Sequence, residues 1–290
     1  MDGRGGRRAG APLSPTRQEV RAAAKRRRAL RGAAVSAVST VVVLGTLVTV
    51  IVTSSGWPKV RASFFDWGDF RKAFPDVLDG FWLDVRLFVI LEIVVLVLGL
   101  LIAVTRTTRA PALYPLRLLS AVFTDVMRGT PTFLLVYLFG FGIPTLELSG
   151  VPTDVTILGG AALALSYSAY VAEVYRAGIE SVHPSQFSGA LALGLTRPQA
   201  LRHVILPQAV RRVIPPLLND FISLQKDVAL VAVLGVVEAV RVAQIAASSQ
   251  FIYTPLMAAG LLYLCVTIPM VRITDHVQAR ARRARGQVVV

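Results

Sequence analysis

The feature that most constrains this chain is a run without charged residues at 35–52. As a helix rising about 1.5 Å per residue, such a run crosses nearly all of the ~30 Å hydrocarbon core of a bilayer. Further apolar runs lie at about 83–104, 113–143, 155–177, 213–237 and 255–273. We therefore predict an all-α integral membrane protein with six transmembrane helices.

The composition agrees with a membrane protein. Hydrophobic residues make up 54% of the chain and charged residues only 17%, whereas about a quarter of a soluble domain is charged. The net charge of +14 comes largely from basic clusters between Arg4 and Arg31 and between Arg272 and Arg285, beside apolar runs. Lys and Arg in these places attract anionic lipid headgroups, although a solvated tail without a partner remains open. Nucleic-acid binding is disfavoured, because the N-terminal cluster lacks aromatic residues that would stack on bases.

The distribution of Lys and Arg predicts the orientation. Basic residues are concentrated in the N-terminal tail, at 105–110, at 179–212 and in the C-terminal tail, while the loop at 144–154 has none. Because cytoplasmic loops are enriched in Lys and Arg, both termini are expected in the cytoplasm, as in a multi-pass protein of the bacterial inner membrane. A cleaved signal peptide is the competing interpretation of 35–52, but the charged lead is too long and the apolar run exceeds the usual length.

Catalytic and cofactor motifs are missing from the sequence. There is no GxxxxGK[ST] loop, so the chain is not expected to bind ATP itself. GxSxG, HExxH and paired cysteines are also absent, and the three histidines lack metal-ligand spacing. We therefore expect no catalytic residue, cofactor or metal in this chain, and predict that it is not an enzyme.

Proline and glycine interrupt the apolar pattern at two places. The sequence RGTP at 128–131 is expected to break the third crossing, since proline cannot continue a helix without losing a hydrogen bond. In the cytoplasmic loop at 179–212, Pro184, Pro198 and Pro207 predict short helices with sharp turns between them. Taken alone, such a loop could be an ordinary amphipathic connector or an apolar surface for a soluble partner.

Motifs in and around this loop resemble those of a known protein family. The matching elements are RGTP at 128–131, YVAEVYRAGI at 170–179, His183, Pro184, Gln186, Ala190, Gly194, Ile205, Leu206, Pro207, Gln208, Ala209, Pro215, Pro216, Asn219, Lys226 and Asp227. In this order and spacing, over residues 80–275, the chain resembles the permease subunits of ABC importers for histidine, glutamate and glutamine. It departs from their Glu-Ala-Ala at Ser188 and Gly189, where the family has glutamate and alanine.

The resemblance implies the fold of a type I ABC importer permease, with a five-helix core preceded here by one extra N-terminal helix. The implied organisation is a basic cytoplasmic tail at 1–33, a first transmembrane helix with an outer aromatic segment at 34–82, a core at 83–275 containing a cytoplasmic coupling loop at 179–212, and a basic tail at 276–290. The implied contacts with the ATPase involve Ser188, Gly189, Ala190, Gly194, Ile205, Leu206 and Pro207.

The resemblance also implies partners and a substrate class. The partners are an ABC ATPase subunit that binds ATP and Mg²⁺, a second permease chain (a heterodimer being favoured over a homodimer), an extracytoplasmic solute-binding protein and membrane lipids, with no nucleic acid. The substrate would be a polar amino acid, namely glutamate, glutamine or a basic amino acid, moved by alternating access.

Polar residues within the apolar runs are candidates for the translocation path. An isolated charge at the middle of a bilayer costs at least ~2.5–3.5 kcal/mol, so such residues are expected to face protein or water. The candidates are Glu92, Arg128, Glu173, Asn219, Lys226 and Asp227. Two alternatives stay open: the charges hold helices together by pairing, or the chain is a secondary transporter or channel for a small polar solute.

Overall fold

The structure, a computed structural model, describes the backbone of residues 17–108 and 110–284. The described residues form helices and connecting turns, without a strand. The α-helices are α1 Arg17–Val52, α2 Trp57–Phe64, α3 Trp67–Thr107, α4 Tyr114–Gly129, α5 Thr132–Tyr137, α6 Ile143–Thr145, α7 Val155–Glu180, α8 Pro184–Ala192, α9 Arg197–Ala200, α10 Leu206–Asp227, α11 Ala239–Gln250 and α12 Thr254–Ala284. Short 3₁₀ and π segments lie at Pro111–Leu113, Leu138–Gly142, Leu201–Ile205 and Val228–Leu234.

The chain divides into two compact units, residues 1–60 and 61–290. In the first unit α1 begins at Arg17, so residues 17–33 of the stretch assigned to the tail are helical. Alanine and arginine are strong helix formers, and they extend the apolar helix toward the N-terminus. Residues 1–16 of the predicted tail lie outside the described residues.

Among the described residues, four helical stretches are long and apolar enough to cross a membrane, namely Leu30–Val52, Trp57–Thr107, Val155–Glu180 and Thr254–Arg280. Two bent pairs raise the number to six if each pair is one span: Pro111–Gly129 with Thr132–Thr145, bent by 105°, and Arg197–Leu234 with Ala239–Ser249, bent by 48°. The first bend lies at RGTP, as the sequence indicated.

The aromatic segment before the second span is helical. A separate outer segment ending at residue 82 was expected, but α3 begins at Trp67 and continues without interruption to Thr107. The side chain of Asp66 accepts a hydrogen bond from the backbone N–H of Asp69 and so caps the helix. Phe70 stacks on both Trp67 and Phe74, at the three- and four-residue spacings that bring side chains together on a helix.

The loop at 179–212 forms short helices with turns at 181–183 and 193–196. Pro184 and Pro198 each lie in the first turn of a helix, where proline costs no hydrogen bond. The expected turn at Pro207 is absent, because the π segment Leu201–Ile205 runs directly into α10. Likewise α12 continues through the predicted C-terminal tail as far as Ala284, and residues 285–290 lie outside the described residues.

Small residues allow the core helices α3 and α7 to approach closely. A Cβ atom added at Gly99 of α3 would lie 2.7 Å from Val171 Cγ1 and 3.2 Å from the carbonyl oxygen of Ser168. Within a membrane such close packing drives helix association, because lipid is as apolar as the side chains. Val95, Leu163 and Val171 are buried where the two helices meet.

We predict that Gly99→Ala destabilises the protein by about 1–3 kcal/mol, because the stiff Val171 side chain and a backbone oxygen leave no room for a methyl group. Gly260→Ala on α12 is the matched control, since no atom of the described chain lies within 4 Å of its added Cβ. Thermal unfolding of the purified variants measures the difference. Equal stability of the two would contradict the packing argument.

Candidate functional site

The centre of the site is one carboxylate that contacts three arginines. Glu173 Oε2 accepts a hydrogen bond of 3.0 Å from Arg106 Nη1 and lies 4.0 Å from Arg128 Nη1. Arg176, one turn further along α7, pairs with both Glu173 and Glu180. We call Arg106, Arg128, Glu173, Arg176 and Glu180 the Glu173 cluster. The arginine donors are rigid and always charged, which suits a half-buried ion pair.

Three helices supply this cluster. Arg106 lies in the last turn of α3 and Arg128 in the last turn of α4, immediately before the break. The guanidinium of Arg128 lies 5.6 Å from the ring centre of Tyr170, whose hydroxyl donates a 3.3 Å hydrogen bond to the Arg128 carbonyl. The broken span is therefore fastened to α7 at its bend.

A cavity of about 370 Å³ adjoins the cluster. Polar side chains from α4, α7 and α10 reach it, among them Arg128, Glu173, Arg212 and Asp220. Arg212 also donates to the carbonyl of Ser181, just past the end of α7. The cavity is large enough for a small solute and has both charge signs in its wall.

A second polar group lies around Tyr167 and is acidic. The Tyr167 hydroxyl donates a 2.7 Å hydrogen bond to Asp227 Oδ2, and Asp220 also acts on it electrostatically. Glu92 of α3 interacts with Asp220 in the same way, and one buried oxygen of Asp220 lacks a hydrogen-bond partner. Within the described part of the chain, none of these three carboxylates forms an ion pair. We call Glu92, Tyr167, Asp220 and Asp227 the Tyr167 group.

The six candidates for the path fall in different places. Arg128 and Glu173 meet in the Glu173 cluster, while Glu92 and Asp227 belong to the Tyr167 group. Lys226 is exposed and forms no ion pair with the described residues. It does not pair with the adjacent Asp227, because neighbouring positions on a helix point in different directions. Asn219 is also exposed and accepts a 3.4 Å hydrogen bond from Gln278.

Sequence reasoning missed Arg106 and Tyr167 as members of these groups, and Asp220, although it lies in an apolar run, was not among the six candidates. A signal was present in α7, where Tyr167, Tyr170, Glu173 and Arg176 follow at three-residue spacing and so form a polar stripe. Arg106 and Asp220 reach this stripe from other helices, which no local pattern reveals.

The predicted coupling residues divide into exposed and buried sets. Ser188, Gly189, Gly194, Leu206 and Pro207 are exposed, whereas Ala190 and Ile205 are buried. Ile205 packs with Val182 and Ala209, and this contact holds the loop to the C-terminal end of α7 and the N-terminal end of α10. Ala190 was expected on the partner-facing surface, but it points inward and helps to hold α8 in place.

The turn after α8 is the most exposed apolar point of this loop. Leu193 is 86% exposed, and Gly194 has a φ of +85°, a conformation that favours glycine. The N–H of Gly194 bonds to the carbonyl of Leu191, and that of Leu195 to the carbonyl of Ala190, which closes the helix end. We call Ser188, Gly189, Leu193 and Gly194 the α8 edge.

Comparison with known proteins identifies the family. The family described as "binding-protein-dependent transport system inner membrane component" matches residues 114–283. This chain belongs to that family. The matched region contains the bend of the broken span, the α8 edge, most of α12 and every member of the Glu173 cluster except Arg106.

Curated relatives of this inner membrane component are amino-acid ABC transporter permeases. The probable glutamine permease GlnM of Bacillus subtilis is 33% identical over 208 residues, covering 71% of this chain and 94% of the relative. The arginine transport permease ArtQ of the same organism is 30% identical over 210 residues, covering 72% and 93%.

Solved structures agree with this assignment. An amino acid ABC transporter crystallised with histidines matches with a TM-score of 0.66 and 30% identity, covering 74% of this inner membrane component and 98% of that chain. A methionine ABC transporter, MetNI, matches with a TM-score of 0.51 at 19% identity and supports the fold alone. The all-helical architecture is therefore that of a type I ABC importer permease.

We predict that Glu173→Ala destabilises the protein by about 1–3 kcal/mol, because half-buried arginines lose their carboxylate. Lys72→Ala is the control, since it breaks an ion pair in which the lysine side chain is 83% exposed and costs at most about 1 kcal/mol. Thermal unfolding in detergent compares the two. A smaller loss for Glu173→Ala than for Lys72→Ala would remove the structural role of the cluster.

Proposed function

We propose that this chain is the translocating subunit of an ATP-driven importer that moves a polar amino acid by alternating access. The observation that carries the proposal is the α8 edge, an exposed apolar turn fixed rigidly between two transmembrane helices. Family membership and the amino-acid permease relatives support the same function. An exposed leucine beside a glycine turn suits the docking of a soluble partner.

The proposed assembly has four kinds of component. A separate ABC ATPase binds ATP and Mg²⁺ and docks on the α8 edge, while this chain hydrolyses no ATP and holds no cofactor. A second permease chain, a heterodimer being favoured, completes the path, and an extracytoplasmic solute-binding protein delivers the substrate. Both termini face the cytoplasm, in keeping with the Lys and Arg asymmetry of the sequence.

The contacts behind the α8 edge give a route for the movement. Arg212 of α10 bonds to the carbonyl of Ser181 at the end of α7, and Val182, Ile205 and Ala209 form one small core there. A displacement of α8 by the ATPase therefore moves the inner ends of α7 and α10 together. Glu173 lies on this same helix α7, so the movement reaches the bend of the broken span. Such coupling requires that the ATPase contact α8 differently in its two states.

For the substrate, we propose a basic amino acid. The Tyr167 group places three carboxylates close together without an arginine or lysine partner among the described residues. Unpaired negative charge in a membrane interior is costly, and a cationic side chain would lower that cost. The rest of a zwitterionic substrate can interact with Arg128 at the adjoining cavity. Glutamate would instead add a further negative charge.

We predict that Gly194→Asp abolishes substrate-stimulated ATP hydrolysis in proteoliposomes that contain the permease, its ATPase and its binding protein. The φ of +85° strains any side chain, and a carboxylate would be desolvated where the ATPase docks. Because Ser188→Ala removes only a hydroxyl from an exposed position, we expect a much smaller effect from it.

Gly150→Asp is the matched control. Gly150 has nearly the same φ, +84°, and also has no atom within 4 Å of an added Cβ, but it lies outside the α8 edge. We expect this variant to retain co-purification with the ATPase, whereas Gly194→Asp loses it. Normal docking and stimulation of Gly194→Asp would refute the coupling role. Uptake that needs no ATPase would favour a secondary transporter instead.

We predict that Asp227→Asn weakens the apparent affinity for arginine by about ten- to a hundredfold while sparing assembly with the ATPase. Asparagine keeps an oxygen that accepts the Tyr167 hydrogen bond, so only the charge is lost. Uptake of labelled arginine, lysine, glutamine and glutamate measures the effect, and the exposed Asp125→Asn serves as control. Unchanged affinity, or a preference for glutamate in the wild type, would overturn the proposed substrate class.

A further inference from the structure

Two carboxyl groups meet in the interior, away from both groups described above. Asp84 of α3 is 3% exposed and Glu238, at the start of α11, is fully buried. Glu238 accepts hydrogen bonds of 2.8 Å and 2.7 Å from the backbone N–H groups of Val240 and Arg241, and so caps α11. The hydroxyl of Tyr263 on α12 donates a 2.8 Å hydrogen bond to Asp84 Oδ2. Three helices therefore meet at one carboxyl pair.

The pair is one proton short of a complete set of hydrogen bonds. Asp84 Oδ1 is buried and has no donor. The carboxyl groups of Asp84 and Glu238 interact where α3 meets the start of α11, yet two ionised carboxylates are both acceptors. One proton on Asp84 turns this contact into a hydrogen bond. Two negative charges in contact, by contrast, repel strongly in an interior of low dielectric.

No basic side chain of the described residues neutralises the pair. Neither carboxylate forms an ion pair with a Lys or Arg in the described part of the chain. The groups that act on the pair are Tyr263 from α12 and the N–H groups of Ala239, Val240 and Arg241 from α11. The surrounding core is apolar: Val77, Phe81, Ala239, Ala243, Ala258 and Ala259.

The backbones of α3 and of the start of α11 lie in close contact beside the carboxyl pair. A Cβ added at Gly80, one turn before Asp84, would lie 2.7 Å from both Ala239 N and the carbonyl carbon of Glu238. Glycine at this position therefore lets α3 touch the peptide that begins α11. The carboxyl pair lies directly beside this contact, and both of its side chains are buried.

We propose that Asp84 and Glu238 form a proton-binding site that holds α3, α11 and α12 together. One proton is bound in the native state and is shared across the Asp84–Glu238 contact. When the proton leaves at alkaline pH, the repulsion between the two carboxylates separates the start of α11 from α3. The site does not depend on the substrate or on the ATPase.

Asp84→Asn tests the proton directly. The asparagine oxygen accepts from Tyr263 and the amide group donates to Glu238, so the variant makes the same hydrogen bonds without a proton. In the wild type, the native state binds one more proton than the unfolded chain, whose carboxyls are ionised above about pH 4–5. Since the unfolded state binds fewer protons, stability falls as pH rises, until the pair itself is deprotonated.

The expected effect is a decrease of about tenfold in the folding equilibrium constant per pH unit for this single proton. Thermal unfolding of the purified full-length protein, from mildly acidic to alkaline pH, measures it as the difference between wild type and Asp84→Asn. Asp79→Asn, an exposed carboxylate on the same helix, is the matched control and should keep the wild-type pH dependence. If Asp84→Asn also keeps it, the site is refuted.

Two further readouts separate proton binding from a merely structural role. Infrared difference spectra should show the carbonyl band of a protonated carboxylic acid in the wild type and lose it in Asp84→Asn. Tyr263→Phe removes a donor that favours the ionised form, so the band should persist to higher pH than in the wild type. A wild type without the band, or a Tyr263→Phe variant that loses it at lower pH, would overturn the proposal.

Discussion

The contact on which the core of this permease depends is that of Glu173 with its arginines. Arg106 from α3, Arg128 from the end of α4 and Arg176 from α7 meet at one carboxylate. Without it, the guanidinium groups of Arg106 and Arg128 would lose their carboxylate partner at the bend of the broken span. The break at RGTP is stabilised by two contacts of Arg128 with α7: its side chain lies near Glu173, and its carbonyl accepts a hydrogen bond from Tyr170.

The sequence predicted the features that depend on local physics. Apolar runs marked the candidate spans, and proline marked the break at 128–131 and the helix starts at Pro184 and Pro198. The ordered motifs of the loop also led to the correct family. These signals are strong because a bilayer allows few backbone solutions, and because proline and glycine act on their own residue.

Features that depend on distant partners were missed or misplaced. Nothing predicted α11, since Gly235, which turns the chain at a φ of +89°, lies in a run that looks like a single span, and Glu238 caps the helix without a local motif. The aromatic residues at 67–82 suggested a headgroup-level segment, but their stacking spacing continues into α3. Lys226 and Asp227 were considered together although Asp227 pairs with Tyr167, sixty residues earlier in the chain.

The three polar groups of the second unit solve the same electrostatic problem in different ways. The Glu173 cluster balances its carboxylate with arginines, which fixes the helices and leaves little charge for a ligand. Asp84 and Glu238 form no ion pair with a described residue, and both are buried, so we assign a proton to them. The carboxylates of the Tyr167 group also lack a cationic partner in the described part of the chain, yet they lie near the cavity bounded by Arg128 and Asp220. Of the three, this group leaves negative charge that a cationic solute can neutralise. We therefore assign substrate selectivity to the Tyr167 group and the fastening of the helices to the other two.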